Sequence, residues 1–148
     1  MLVDWNKAKE KSVRTTRWSM TMAKVRIRQA MPRTSWQLVT FEGPAGAESV
    51  GIVDLIAIRK DHGSPLHGTK RGDNFQIILI QVKGGSAAMP TTEDCQRLRE
   101  VARRHRAHQT LLATWKKGKC ASFQRLRPKH AKGLRDWIEV EDQNSIFK

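Results

Sequence analysis

The sequence is short of acidic residues, of cysteines and of long apolar runs. Its 148 residues contain 14 Asp and Glu against 28 Lys and Arg, which gives a formal net charge of +14. A compact protein with this imbalance carries a large positive potential, so an acidic polymer is the expected partner. The length predicts one domain with one modest core.

The other two shortages concern redox chemistry and membranes. Cys95 and Cys120 are too few for a disulfide framework or a four-cysteine zinc site. The longest apolar runs, such as residues 77–80, are far shorter than the roughly 20 residues that cross a bilayer. The first residues also lack the apolar stretch of a signal peptide. These absences predict a cytoplasmic protein that has no membrane partner.

Positive charge is abundant and unevenly distributed. Residues 97–135 contain thirteen Lys and Arg and a single acid, Glu100. Such a segment favours contact with phosphates, although a run of charges can also be an ordinary solvated face. The five tryptophans are spread along the chain, which favours core positions for most of them over a stacking platform.

Hydrophobic periodicity predicts an α/β order of helix, three strands, helix, and one or two strands. The first helix is expected over 17–31 and the second after Thr91, because Thr91 and Asp94 have the spacing of a capping box. Residues 60–74 contain three glycines and a proline and are expected to form a loop. The strands are expected at 36–41, 50–58 and 75–83, followed by a hairpin of 109–115 and 120–126, and residues 137–140 form a short element of undecided type.

Two charged residues interrupt the most apolar predicted strands. Asp54 lies within 50–58 and Lys83 within 75–83, and a buried charge is costly unless it is paired, hydrogen-bonded or bound to a metal. Strand alternation places Gln81 and Lys83 on the same face, so Asp54 joins them if the two strands are neighbours. A carboxylate, an amide oxygen, the Val82 carbonyl and an ammonium group are the set that a Mg²⁺-dependent phosphodiester hydrolase needs. A buried Asp54–Lys83 ion pair, or two strand ends open to solvent, would explain the same residues without chemistry.

The two segments around these residues resemble a known superfamily. Gly-Ile-Val-Asp-Leu-Ile-Ala at 51–57 and Ile-Gln-Val-Lys-Gly-Gly at 80–85 look like the PD-(D/E)xK nucleases, which include restriction endonucleases, Holliday junction resolvases and Mrr-like enzymes. The resemblance covers about residues 17–115. It implies a restriction endonuclease-like core of α-β-β-β-α-β order, with a mixed central sheet flanked by helices. We therefore expect one nuclease-like domain over 1–148, with its core at about 17–126 and basic or irregular extensions at both ends.

The resemblance also implies roles for individual residues. Asp54 and Gln81, with the Val82 carbonyl, are expected to bind Mg²⁺ or Mn²⁺, and Lys83 to activate the attacking water. Gln81 stands where many members have a second acid, and this departure is shared with the Mrr-like branch. Many members also have a glutamate in the first helix, but residues 17–31 contain no acid. Glu42 and Glu48 are the candidate substitutes, and Gln96 is the candidate for the polar helix residue of the family, unless it lies on a solvated helix face.

The expected activity is metal-dependent DNA hydrolysis by an endonuclease-like enzyme. The expected backbone contacts are Arg97, Arg103, Arg104, Lys116, Lys117 and Lys119. Such contacts hold a duplex in position without reading its sequence. Because many enzymes of this kind cut both strands as dimers, a homodimer is one expected form.

Two other functions fit the same sequence. The first is a non-catalytic DNA- or RNA-binding module in which Gln81 marks a decayed nuclease site. The second is a basic structural protein of a nucleoprotein particle, which gives Asp54 and Lys83 no purpose. Stabilisation by Mg²⁺ or Mn²⁺ that depends on Asp54 would separate an intact site from a decayed one.

Overall fold

A computed structural model describes residues 3–31, 36–41 and 50–148. These residues form an α/β fold with two helices and one six-stranded mixed sheet, which confirms the predicted α/β class and mixed sheet. The glutamates Glu42 and Glu48 lie outside the described residues. The elements, in chain order, are α1 (Trp5–Ala30), β1 (Gln37–Thr40), β2 (Leu55–Lys60), β3 (Phe75–Gly84), α2 (Thr92–Arg104), β4 (Gln109–Trp115), β5 (Ser122–Leu126), β6 (Trp137–Glu139) and a 3-10 turn (Gln143–Ser145).

The six strands lie side by side in the order in which they occur along the chain. Only β3 and β4 are parallel, and all other neighbours are antiparallel. Two parallel neighbours need a crossover connection, and α2 supplies it. The helix that follows β3 is therefore the reason that the sheet is mixed.

The two helices pack on opposite faces of the sheet. Ala23, Ile27 and Ala30 of α1 pack in the larger core cluster, which also contains Ile80 and Phe147. Cys95 and Leu98 of α2 pack in a second cluster on the other face. Successive strand residues alternate between these two faces, so the register decides which helix each side chain meets.

The first helix begins twelve residues earlier than the prediction of 17–31. Asp4 caps it, because one carboxylate oxygen accepts the N–H groups of Asn6 and Lys7, both at 3.2 Å. No glycine or proline interrupts residues 5–31. The periodicity missed the first turns because apolar spacing reports packing, and the buried residues of α1 begin only at Ser19.

The second strand also departs from its prediction. It begins at Leu55 and ends at Lys60, whereas 50–58 was expected. Gly51 has a φ of +122°, which is outside extended geometry, and Val50 is fully exposed. Asp54 therefore lies immediately before β2 and is half-buried.

The remaining elements follow the sequence closely. The predicted capping box of α2 is confirmed, since Thr91 Oγ1 accepts the Asp94 N–H at 3.1 Å and Asp94 accepts the Thr91 N–H at 3.0 Å. The predicted hairpin is β4 and β5, and the undecided element is β6. Among the described residues, no helix is both long and apolar enough to cross a membrane.

Candidate functional site at the ends of β2 and β3

The sheet register brings Asp54 opposite Gln81. Leu55 pairs with Ile80 in the antiparallel β2–β3 ladder, so the residue before Leu55 faces the residue after Ile80. The Asp54 N–H donates to the Ile80 carbonyl at 3.0 Å. Asp54 Oδ2 accepts the Val82 N–H at 2.7 Å. These two hydrogen bonds fix Asp54 against β3 at the point where β2 begins.

Gln81 and Lys83 share the face of the sheet on which α2 packs, and Asp54 lies beside them. Asp54 precedes β2, and its bonds to the Ile80 carbonyl and the Val82 N–H place it next to this part of β3. Ile80 belongs to the α1 core cluster, so Gln81, the next residue of β3, points to the other face. Lys83 is two residues beyond Gln81 on β3 and points the same way. The grouping that the sequence predicted is therefore present as a geometric arrangement.

Gln81 is a buried amide with an unsatisfied oxygen. Its relative exposure is 7%, and its Oε1 has no hydrogen-bond partner among the described residues. A buried amide oxygen without a donor is costly, which makes it a candidate position for a cation or a bound donor.

Lys83 is half-buried near the end of β3. Lys83 and Asp54 form no ion pair with each other within residues 50–148, so the buried ion pair considered from the sequence is not the arrangement found there. The Lys83 charge also acts on Asp94 at the start of α2. The hydrogen bond from the Thr91 N–H, and more weakly the charge of Lys83, hold the pKa of Asp94 below its usual value of 3.8.

The glycine after Lys83 lets α1 approach the other face of β3. A Cβ added to Gly84 would fall on the Ser19 hydroxyl and lie 2.7 Å from Ser19 Cβ. No other residue type fits there without moving the helix. At Gly84, α1 therefore packs directly on the backbone of β3, while the neighbouring Lys83 side chain points to the α2 face.

The donor set is compatible with a magnesium-like ion but contains few acids. No group of three or more His, Cys, Asp or Glu side chains in the described part of the chain could hold a metal. Mg²⁺, however, is often held by one or two carboxylates and keeps water or substrate phosphates as its other ligands. Asp54 with the unsatisfied Gln81 oxygen fits that pattern. The Val82 carbonyl faces the Asp54 side of β3, because Ile80, two residues earlier, bonds to Asp54 through its own carbonyl.

The structure does not bring Gln96 into this group. Gln96 lies on α2 next to Cys95, but its side chain is exposed whereas Cys95 and Leu98 face the sheet. Its side chain makes no hydrogen bond within the described residues. Gln96 therefore lies on a solvated helix face, which was the alternative considered for it. Glu42 and Glu48 lie outside the described residues.

The expected DNA contacts divide into two sets. Lys116, Lys117 and Lys119 are exposed in the turn between β4 and β5. This turn lies beside the candidate site, because Gly84 pairs with Trp115 at the end of β4. We call this end of the sheet, which carries Asp54, Lys83 and the turn 116–119, the site end. Arg103 and Arg104 on α2 are exposed but share the carboxylate of Glu100, at 2.7 and 2.9 Å, and Arg97 lies 4.0 Å from Asp94.

One arginine of the basic segment has a structural position. The side chain of Arg99 is only 14% exposed and donates to Asp136 at 2.7 Å and to the Arg127 carbonyl at 2.8 Å. It therefore tethers α2 to the connection between β5 and β6. Its spacing from Cys95, one turn earlier on the buried side of α2, is the sequence signal that could have separated it from the exposed arginines.

Sequence reasoning missed a second basic surface, the first half of α1. The early start of the helix brings Lys7, Lys9, Lys11 and Arg14 into regular structure. The tryptophan prediction is also partly wrong here: Trp36 and Trp137 are buried, but Trp5 and Trp18 on α1 are 78% and 54% exposed. The sequence signal for this segment is Asp4, a favourable helix cap, followed by a stretch of residues without glycine or proline.

The described residues define an α/β protein with a mixed sheet and an aspartate, glutamine and lysine grouped at one end of that sheet. No protein-family model, curated protein or solved structure matches the chain.

Proposed function

We propose that this protein hydrolyses DNA phosphodiester bonds in a reaction that depends on Mg²⁺ or Mn²⁺, as an endonuclease-like enzyme. The observation that carries the proposal is the grouping of Asp54 with buried Gln81 and with Lys83 where β2 begins and β3 ends, with the Gln81 oxygen left without a donor among the described residues. Buried polar groups without partners are rare in folded proteins, and a bound ion or a catalytic role is one explanation for them. The net charge of +14 supports a polyanionic substrate.

The element order supports a restriction endonuclease-like core. A helix, an antiparallel β1–β2–β3 meander, a crossover helix and a parallel strand follow one another from α1 to β4. This is the order that the PD-(D/E)xK resemblance implies. Asp54 lies immediately before β2, Lys83 lies on the neighbouring β3, and Gly84–Gly85 follow it directly, which supports the proposal.

Asp54, Gln81 and the Val82 carbonyl are the groups that would hold the metal. Bound there, Mg²⁺ or Mn²⁺ would supply Lewis acidity to the phosphate. The Val82 N–H orients the Asp54 carboxylate through the bond at Oδ2, which fixes the position of the one acidic donor. Gln81 adds a neutral oxygen, so the site depends on substrate phosphate for further ligands.

Lys83 acts on the water and the phosphate. Its ammonium group positions the attacking water and stabilises the negative charge that develops on the phosphate oxygens. The water gives up one proton to the solvent as its oxygen forms the new bond to phosphorus. The bond from phosphorus to the leaving oxygen breaks, and that oxygen takes a proton from the solvent. The half-buried position of Lys83 limits competing contact with bulk water.

The expected DNA contacts are consistent with this arrangement. The lysine turn 116–119 lies at the site end, next to Lys83, and would contact phosphates on either side of the bond that is cut. A homodimer that cuts both strands, a single domain over 1–148 and a cytoplasmic location stay predictions from the sequence.

The direct test is cleavage of supercoiled, linear and branched DNA in Mg²⁺ or Mn²⁺. We compare the wild type with Asp54→Ala and Lys83→Ala, each shown by circular dichroism to be folded. The matched control is Lys60→Ala, because Lys60 is an exposed lysine at the far end of β2. Loss of at least a hundredfold in both site variants, with the control unchanged, is the expected result. Cleavage that survives Asp54→Ala would contradict the proposal.

A second function is favoured by one observation, the shortage of metal-ligating side chains in the described part of the chain. Because no group of three or more His, Cys, Asp or Glu side chains is found there, the alternative is a DNA- or RNA-binding module whose metal site has decayed. Thermal unfolding with and without Mn²⁺ separates the two functions. A metal-induced rise in Tm that disappears in Asp54→Ala supports the enzyme, whereas salt-sensitive DNA binding without any such rise supports the module.

A further inference from the structure

The first half of α1 extends beyond the sheet. The residues of α1 that are buried against the core are Ser19, Ala23, Ile27 and Ala30. Thr15 lies beside the end of β3, since its Cγ2 would lie 3.0 Å from a Cβ on Gly85. Residues 5–14, which we call the α1 arm, continue for about 15 Å past that point. Because Gly85 follows β3, the arm projects from the site end.

The arm is basic and largely exposed. It carries Lys7, Lys9, Lys11 and Arg14 against one acid, Glu10. Lys7, Lys11 and Arg14 are spaced i, i+4 and i+7, so they form one stripe, and all three are exposed. None of them forms an ion pair within the described part of the chain. Trp18, which is 54% exposed, continues the same stripe toward the sheet.

The positive charges of the arm destabilise the N-terminal part of α1. The N-terminus of a helix carries a partial positive charge, which favours acids and disfavours lysines nearby. The first turn of α1 nevertheless contains no acid. The arm also packs few apolar groups, and a helical segment without tertiary packing is marginal in water. The Asp4 cap supplies one carboxylate at this end of the helix, and a negatively charged partner would offset the remaining unfavourable charge.

We propose that the α1 arm is a binding surface for the phosphate backbone of duplex DNA. Its stripe of Lys7, Lys11 and Arg14 contacts phosphates outside the bond that is cut, on the side of the site end opposite to α2. A second copy of the chain is a poor occupant, because two arms would bring like charges together. The inference rests on the proposed function for the choice of DNA as the polyanion.

The test measures DNA binding without divalent metal. The full chain with Lys7→Gln, Lys11→Gln and Arg14→Gln is compared with wild type. Binding to a duplex of about 25 base pairs is measured at NaCl concentrations from about 0.05 to about 0.3 M, a range wide enough to give the dependence of affinity on salt. Glutamine keeps a helix propensity close to that of Lys and Arg. Loss of three phosphate contacts should reduce the slope of log K against log salt by about 2.7 and weaken binding about a hundredfold at 0.15 M.

The matched control removes three basic residues at the opposite end of the sheet: Lys60→Gln, Lys70→Gln and Arg71→Gln. It has the same net charge as the arm variant, so it measures the general electrostatic effect alone. Equal slopes for the two triple variants, or no binding by the wild type, would overturn the role of the arm. Arm-dependent binding without any cleavage would support the arm and contradict the nuclease, whereas cleavage with arm-independent binding would do the reverse.

Discussion

Gln81 combines two properties that conflict unless something binds to it. It is buried at 7% exposure, and its amide oxygen has no donor in the described part of the chain. Its neighbour across the ladder is Asp54, which is already held by the Val82 N–H. A side chain that served only packing would be better replaced by an apolar residue of the same size. The position therefore favours a role for the oxygen itself.

We expect Gln81→Glu to strengthen metal binding. A second carboxylate beside Asp54 supplies another charged oxygen ligand to a hard cation. Without metal, the two carboxylates repel each other and the variant should unfold at a lower temperature than wild type. Thermal unfolding across a Mn²⁺ titration checks this, and the rise in Tm should be larger for the variant. Equal metal-induced shifts in both proteins would argue against a metal at this position.

We expect Gly84→Ala to destabilise the protein by about 1–3 kcal/mol, because the new methyl group overlaps Ser19 on α1. Urea unfolding of the variant measures the loss. A double-mutant cycle with Ser19→Gly supplies the control, since removing the Ser19 side chain makes room for the methyl group. The two changes should be less harmful together than their sum. If the two changes in the free energy of unfolding were strictly additive, the new methyl group would not be in steric conflict with Ser19.

At the scale of elements, α2 is held by its N-terminal cap and by Arg99. The capping box closes the first turn next to Lys83, while Arg99 ties the middle of the helix to Asp136. Cys95 and Leu98 then pack on the sheet, and burial raises the pKa of the Cys95 thiol above its usual value. The helix that closes the candidate site is thus fixed at several points.

We expect Thr91→Ala to lower the free energy of unfolding by about 1 kcal/mol, because the Asp94 N–H loses its acceptor. For a chain of this size, that loss corresponds to a fall in Tm of roughly 2–4 °C. The matched control is Thr92→Ala, since Thr92 is the adjacent exposed threonine and makes no side-chain hydrogen bond within the described residues. A similar fall for both variants would show that the cap contributes nothing specific.

The same scale shows which elements the sequence could predict. The strands β1, β3 and β4 and the start of α2 follow from apolar runs and a capping box, which are local signals. The start of β2 does not, because residues 50–54 are as apolar as a strand but Gly51 takes a positive φ. The first turns of α1 were missed for the opposite reason, since a helix that projects past the sheet has no apolar face for periodicity to report.

At the scale of the whole molecule, the stability depends on a carboxylate that joins distant segments. Asp136 precedes β6 and accepts from Arg99 on α2 at 2.7 Å, with His130 Nδ1 3.2 Å away. The hydrogen bond from Arg99, followed by the contact with His130, holds the pKa of Asp136 below its usual value of 3.8. A depressed folded pKa means that this stabilisation is complete above about pH 3.8 and is lost as the pH falls through the folded value.

We expect Asp136→Asn to lower the free energy of unfolding near neutral pH by on the order of 1.5 kcal/mol. The difference from wild type should stay constant from about pH 7 to 5 and shrink as the pH falls below about 3.8, and it should vanish below the folded pKa, where both proteins are neutral at this position. Urea unfolding at a series of pH values measures it. Glu141→Gln, which removes an exposed acid, should show no such convergence, and a difference that persists at the lowest pH would contradict the assigned cause.

The sequence by itself determined the class of fold, the basic character and the three residues of the candidate site. Each of these is written locally, because strand alternation places Gln81 and Lys83 on one face and composition alone gives a charge of +14. Only the tertiary structure decided that Asp54 stands opposite Gln81, that the Gln81 oxygen lacks a donor and that Arg99 is a tether. It also decided that the α1 arm and the lysine turn project from the same end of the sheet. These are relations between residues far apart in the chain, and they depend on register and packing, which no local pattern encodes.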